Sequence, residues 1–439
     1  MNLSCPGSAY TYSYATMGEL VAWIIGWDLI LEYLVGAATV AVGWSGYFVS
    51  FFQVAFSIDL GKRFTSPPLH WDEPTLSIIY NPDGIINLPG LLIVLVLTII
   101  LVLGIRESKW LNNVIVIIKL LTVLLFIFAG IKYVDPKNWR PFVPPATTDG
   151  DWRHFGAGGI FAAAQSVFFA YIGFDAVSTA AQESKRPERD LPVGIMVSLG
   201  VCTVLYICTA FVLTGIVPYA QLNVEAPVAL ACVQTGMKWL EIIVTLGALG
   251  GLTSVMLIML LAQPRIFHTM AHDGLLPPIF ARVHRRFRTP YVPTLVSGAV
   301  TAALGALLPV DLLGNMTSVG TLLAFLFVHV GIVVLRFSRP DVPRKFRIPG
   351  PGFVWMVFPV VGAAVSVLLI AVADRTTIWR LFAWMVGLCV LSDCDRADLL
   401  RGLRIPEVKP RPSEVDRGSC VGAGETLSVG GERDNGDLT

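Results

Sequence analysis

Stretches of about twenty residues, nearly free of charge, recur between residues 19 and 373, and a soluble fold cannot bury so many of them. Residues 91–103 read LLIVLVLTIILVL and residues 114–129 read VIVIIKLLTVLLFIFA. A helix of that length crosses the roughly 30 Å hydrocarbon core of a bilayer. Only 14% of the chain is charged and 54% is apolar, against about a quarter charged in soluble domains. A soluble enzyme, a nucleic-acid binder and a disordered scaffold are thereby excluded, which leaves an all-α, multi-pass transmembrane helical bundle. With 32 Lys+Arg against 31 Asp+Glu, the net charge of +1 points to no polyanionic partner.

A hydropathy window of about 19 residues places spans near 19–43, 86–105, 111–131, 158–180, 192–217, 240–264, 293–309, 318–336 and 353–373. The first can run on to about residue 57, and 378–391 forms a short final apolar stretch interrupted by Arg380. Residues 1–18 read as a cytoplasmic lead-in loop, 19–391 as the membrane domain, and 392–439 as a polar, disordered tail. Basic residues concentrate in alternate loops, at Arg106 and Lys109, at Lys185, Arg186 and Arg189, at Arg282, Arg285, Arg286 and Arg288, and at Arg339, Arg344, Lys345 and Arg347. The positive-inside rule makes those loops cytoplasmic, so 58–85 faces outward. No signal peptide is expected at the N-terminus. The seven cysteines contain no CxxC pair, so neither a disulfide framework nor a zinc site is expected, and no cofactor is implied.

The informative residues are those that hydrocarbon should exclude. Lys119 has apolar neighbours on both sides in IVIIKLLTV, and an ionised lysine at mid-bilayer costs about 2.5–3.5 kcal/mol on insertion scales. Asp28 and Glu32 lie four apart in GWDLILEYLVG, on one helix face, and either could answer that lysine. A structural ion pair and an ion or proton relay both fit this pattern. In FFAYIGFDAVSTA, residues 168–180, Ala170 and Gly173 sit among aromatics with Asp175 beyond. That composition suits a helix broken at membrane depth, tolerated only where it lines a cavity, and it equally suits close packing through small residues. In GALGGLTSVM, residues 247–256, the glycines allow close helix approach while Thr253 and Ser254 offer hydroxyls. No GK[ST] follows, so this is not a phosphate loop. His268 and His272 have a zinc-like spacing beside Asp273 but lack a third ligand and read as a solvated cytoplasmic loop.

GELVAWIIGWDLILEYLVG, the Lys119 span, FFAYIGFDAVSTAAQESKRPERDLPVGI and QPRIFHTMAHDGLLPP together resemble the amino acid–polyamine–organocation superfamily, with the bacterial branch of the cationic amino acid transporter family most similar. The likeness covers about residues 6–380. It implies the leucine-transporter fold, two inverted five-helix repeats around a midplane site, in which 19–43, 111–131, 158–180 and 240–264 would be the third, fifth, sixth and eighth helices. On the same resemblance, the main chain around Phe169, Ala170 and Ile172 beside Gly173 would accept from a substrate ammonium, while Tyr171 and Phe174 would shape and gate the pocket. Lys119 would stand where proton-coupled members replace a sodium ion, and Thr253, Ser254 and Met256 would face that lysine or the substrate.

The resemblance thus implies a plasma-membrane amino acid permease, not an enzyme, that is secondary-active, proton-coupled and works by alternating access in the lipid bilayer. The family's first helix and most of its second have no counterpart in the sequence, and its twelfth breaks off near Leu391. A non-transporting truncated fragment therefore stands as an alternative, and so does a membrane-embedded metal enzyme built on His268 and His272.

Overall fold

The computed structural model describes residues 10, 13, 14, 17–72, 77–104, 109–146, 152–153, 155–174, 186–287, 289–338 and 354–391. Arg106, Asp175, Lys185, Arg288, the basic residues of 339–347 and the 392–439 tail lie outside the described residues. Helix α1, Glu19–Phe56, is 38 residues long and buried at nearly every position from Ala22 to Val42. A helix that is apolar all round belongs at the centre of its bundle. Its last turns carry an aromatic ladder, Trp44, Phe48, Phe52 and Phe56, with ring centroids 5.0, 4.7 and 5.6 Å apart in succession. The i,i+4 spacing of those rings supports the helix beyond the first expected boundary, until Ser57 turns left-handed at φ 56°. Ahead of it, Tyr10, Ser13, Tyr14 and Met17 are helical where the sequence suggests a loop, and Tyr10 is buried.

The remaining helices are α2 (Leu88–Val102), α3 (Lys109–Gly130), α4 (Gly156–Val167), α5 (Pro187–Ile216), α6 (Pro227–Thr235), α7 (Lys238–His272), α8 (Tyr291–Leu307), α9 (Val310–Ser338), α10 (Val354–Val372) and α11 (Arg375–Leu391). By length and composition, α1, α3, α5, α7, α9 and α10 can each cross a membrane, while α2, α4 and α8 are shorter apolar helices. Asn87 caps α2, its side chain accepting the Gly90 N–H at 3.1 Å. Two elements escape the hydropathy reading. The 58–85 loop carries an antiparallel hairpin, Leu69–Asp72 with Ser77–Tyr80, in which Leu69 pairs with Tyr80. The short helix α6 lies in the connection between α5 and α7.

Helix α7 continues past the expected end at residue 264, because Pro264 is accommodated within it and only Gly274, at φ 83°, closes it. His268 and His272 therefore sit on the last turns of a helix, not in a loop as the sequence suggested. His272 Nδ1 is 3.9 Å from the Asp273 carboxylate, and no group of three potential metal ligands occurs among the described residues.

Helix α1 packs against α7, α9, α8 and α2. Glycines set these approaches, as expected where helices associate without a hydrophobic gradient between them. At Gly298 of α8 there is no room for a methyl, since a Cβ would overlap Thr98 of α2, whose hydroxyl donates to Val94 O at 2.7 Å. Gly194 of α5, by contrast, faces open space. Gly298→Ala should therefore cost about 1–3 kcal/mol and lower the unfolding midpoint in detergent. Thr98→Ala should restore only part of that loss, since its Cβ would still lie 2.8 Å from the new methyl, while Gly194→Ala should gain up to about 1 kcal/mol. Equal responses at the two glycines would refute the close-approach reading.

Candidate functional site

Helix α4 loses its regular ladder at Phe168. Phe168–Tyr171 is a 3-10 turn, Ile172 is extended at φ −62° and ψ 140°, and Gly173 takes φ 103°. That φ is open to glycine and strained for other residues, although a Cβ at Gly173 would meet nothing within 4 Å. Conformation, not lack of room, makes glycine the fitting residue here. A helix that ends inside apolar surroundings leaves carbonyls that must find donors. Phe169 O accepts from the Ile172 N–H at 3.1 Å, and Ala170 O accepts from Tyr206 Oη of α5 at 2.8 Å.

The walls of the break come from two other helices. From α5, Tyr206 stands edge-on to Tyr171 at 5.4 Å, and Tyr171 Oη donates to Thr203 Oγ1 at 3.2 Å. From α9, Phe325 lies 5.9 Å from Phe168 and 5.1 Å from Phe174, so one ring bridges both ends of the turn. Asn315 of the same helix accepts from Ser166 Oγ at 2.9 Å. Phe169 and Ile172 lean on the apolar core that includes Trp23, Trp27 and the fully buried Met256. Outside this region, Arg153 meets Asp374 at 3.1 Å and ties the approach to α4 to the α10–α11 turn. Phe169, Ala170, Tyr171, Ile172, Gly173 and Phe174 form this interrupted stretch. Tyr206, Thr203, Asn315 and Phe325 were not anticipated. A single Tyr, with Thr203 three residues before it, inside the apolar 192–217 run was the available signal.

A second polar locus lies between α3, α7 and α1. Lys119 is half-buried and donates to Ser254 Oγ at 2.5 Å, and Ser254 donates to Gly251 O at 3.0 Å. The lysine stem lies along Gly251, 3.1 Å from where a Cβ would stand, so the missing side chain makes its berth. The adjacent Thr253 accepts from Trp44 Nε1 of α1 at 3.0 Å and donates to Leu249 O at 2.7 Å. Two consecutive hydroxyls of α7 are thereby claimed by two different helices.

Asp28 and Glu32 do share a face of α1, and both are fully buried. Asp28 does not turn to Lys119, which corrects one of the pairings the sequence suggested. The geometric reason is that Asp28 faces α9, its Oδ1 lying 3.1 Å from the place of a Gly320 Cβ, whereas Lys119 is held on α7 by Ser254.

Residues 1–391 match the family model described as amino acid permease. The chain is 44% identical to the branched-chain amino acid permease BcaP of Bacillus subtilis over 386 residues, 88% of this chain and 78% of that protein. It is 42% identical to the methylthioribose transporter of the same organism over 359 residues, 82% of this chain and 72% of the relative. Against the human cationic amino acid transporter 4 it is 36% identical over 346 residues, 79% of this chain but only 51% of that longer relative.

The break generates its own test. Gly173→Ala should lower stability by about 1–2 kcal/mol through φ alone, since the space is open. Tyr206→Phe should cost about 1 kcal/mol by removing the donor to Ala170 O. Thermal unfolding in detergent reads both, and an unchanged midpoint in both variants would show that this turn does not depend on the geometry described.

Proposed function

Because the chain belongs to the amino acid permease family, we propose that it is a secondary-active amino acid transporter of the cell membrane, coupled to protons and working by alternating access. The observation that carries this reading is the interrupted main chain at 168–174, with aromatic rings on both sides. Transporters use such interruptions because freed carbonyls and half-helix ends can hold charged groups that lipid-facing helices cannot. The carbonyls around Phe169, Ala170 and Ile172 accept the substrate ammonium. Tyr206 holds Ala170 O meanwhile, so this carbonyl is kept satisfied when no solute is present. Tyr171 and Phe174 close over the solute, with Phe325 as the ring they close against, and Met256 backs the site from the core.

Side-chain selectivity follows from the walls. Phe168, Tyr171, Phe174 and Phe325 offer ring faces and edges on which an apolar side chain buries its area; a cationic one would gain attraction to the same ring faces but lose more on leaving water. One relative is named for carrying a thiosugar and another for carrying branched-chain amino acids, so family membership by itself leaves the solute open.

Coupling is assigned to the second locus. A charged Lys119 makes a strong, charge-assisted bond to Ser254 and draws α3 onto α7. The neutral amine binds the same hydroxyl less strongly, so the α3–α7 contact loosens when the proton leaves. Thr253, fixed by Trp44, keeps the α7 side of that contact in register with α1. Asp28 and Glu32, both buried on one face of α1, are assigned to pass or store a proton within the bundle.

Two measurements test the proposal on purified protein in liposomes. Lys119→Met should remove the dependence of uptake on a pH gradient while leaving exchange of one labelled solute for another, and pH-driven uptake at the parent level would exclude the lysine from coupling. In counterflow, labelled leucine or isoleucine should accumulate at least about tenfold over labelled arginine, since an unpaired charge in apolar surroundings costs well over 1.4 kcal/mol. Preferential arginine accumulation would overturn the selectivity assignment, and absence of counterflow with every amino acid would overturn the transport reading.

A further inference from the structure

A groove of about 390 Å³ opens on the outward half of the bundle, on the far side of Trp44 from the lysine locus. Trp44 and Phe48 of α1 form one wall, Leu92 and Val96 of α2 the other, and Leu60 and Phe64 of the following loop roof it. The volume is within the range of sites that enclose a small molecule. Its interior presents hydrocarbon. Thr65 turns its hydroxyl to Gly61 O at 2.9 Å, and the Trp44 N–H points the other way, to Thr253. Leu92 and Val96 remain 50% and 49% exposed, so the groove opens sideways along α2 on the outside of the bundle, where bilayer lies. An occupant therefore arrives from the lipid.

The rim is different in kind. The roof residue Phe64 belongs to the 3-10 turn Lys62–Phe64, so two exposed cations, Lys62 and Arg63, stand directly beside the opening. Asp59, an acid of the same loop, accepts the Gly61 N–H at 2.9 Å. The turn lies level with Leu88 and Pro89, where α2 begins, and hence where apolar helix gives way to aqueous loop. Hydrocarbon below and paired cations at the interface match the two ends of one molecule. We propose that this groove holds an acyl chain of an anionic phospholipid of the outer leaflet, with its phosphate between Lys62 and Arg63. Arginine binds phosphate through its planar fork, and lysine adds a compact charge.

The test uses the purified full chain in detergent and needs no transport, so its failure and the failure of the transport reading are separate results. Native mass spectrometry with added dioleoylphosphatidylglycerol and dioleoylphosphatidylcholine should show one molecule of the anionic lipid retained at least about fivefold more tightly. The double variant Lys62→Gln, Arg63→Gln should bring the two lipids within about twofold of each other. Leu92→Trp, which fills the groove, should weaken retention of both, and its unfolding midpoint reports whether it is folded. A phosphatidylglycerol with a photoreactive group in mid-chain should label Phe48 or Leu92 in the unaltered chain, independently of any variant. Equal retention of the two lipids, an anionic preference untouched by the double variant, or labelling confined to other helices would overturn the assignment. Full displacement by glycerol phosphate alone would also overturn it, since that would mark a phosphate site without a lipid.

Discussion

Inside a bilayer every backbone N–H and C=O must find a partner within the protein, and the rest of this structure is arranged around one place where the ordinary partners are given up. When α4 stops at Val167, Ile172 and Tyr206 take over the released carbonyls of Phe169 and Ala170. The substitution fixes more than two bonds. It anchors α5 to the turn through Tyr206 and Thr203, and it sets the turn where Phe325 of α9 can pack on both its ends. Two helices distant in sequence are thus required for one short interruption to persist.

The pairing of α1 with α7 supplies the frame on which that arrangement rests. Both are longer than a bilayer core requires, and α1 is buried along most of its length. Their contact is made with small residues and hydroxyls as much as with large apolar side chains: Gly36 lies against Met259, and Thr253 against Trp44. Lys119 joins this frame from α3 through a single hydroxyl, that of Ser254.

Much of this was legible in the sequence because it depends on local composition. Apolar runs located the spanning helices, while a glycine among aromatics left an interruption near Gly173 and close packing equally open until the family resemblance favoured the former. What stayed hidden depends on relations between distant segments. The resemblance left Ser254 facing Lys119 or the substrate, but nothing in GWDLILEY says that Asp28 turns to Gly320; two opposite charges in hydrocarbon suggest each other, and the helix faces overruled that suggestion for Asp28. Tyr206 reads as one more apolar position until the carbonyl opposite it is known. The hairpin at 69–80 and helix α6 were missed because a window of about 19 residues averages away elements of four to nine. His268 and His272 were misplaced for a related reason: a Pro and a charge suggested an ending, while α7 tolerates both.

The backbone at Gly173 carries one last consequence. Its φ belongs to the half of conformational space that mirror-image amino acids prefer, and nothing crowds the place where a side chain would project. The position therefore discriminates by chirality and not by size. A D-alanine introduced there by semisynthesis would fit as glycine does and would narrow the unfolded ensemble besides. The genetic code offers no such residue, so among the encoded amino acids an achiral one is the natural compromise at this turn.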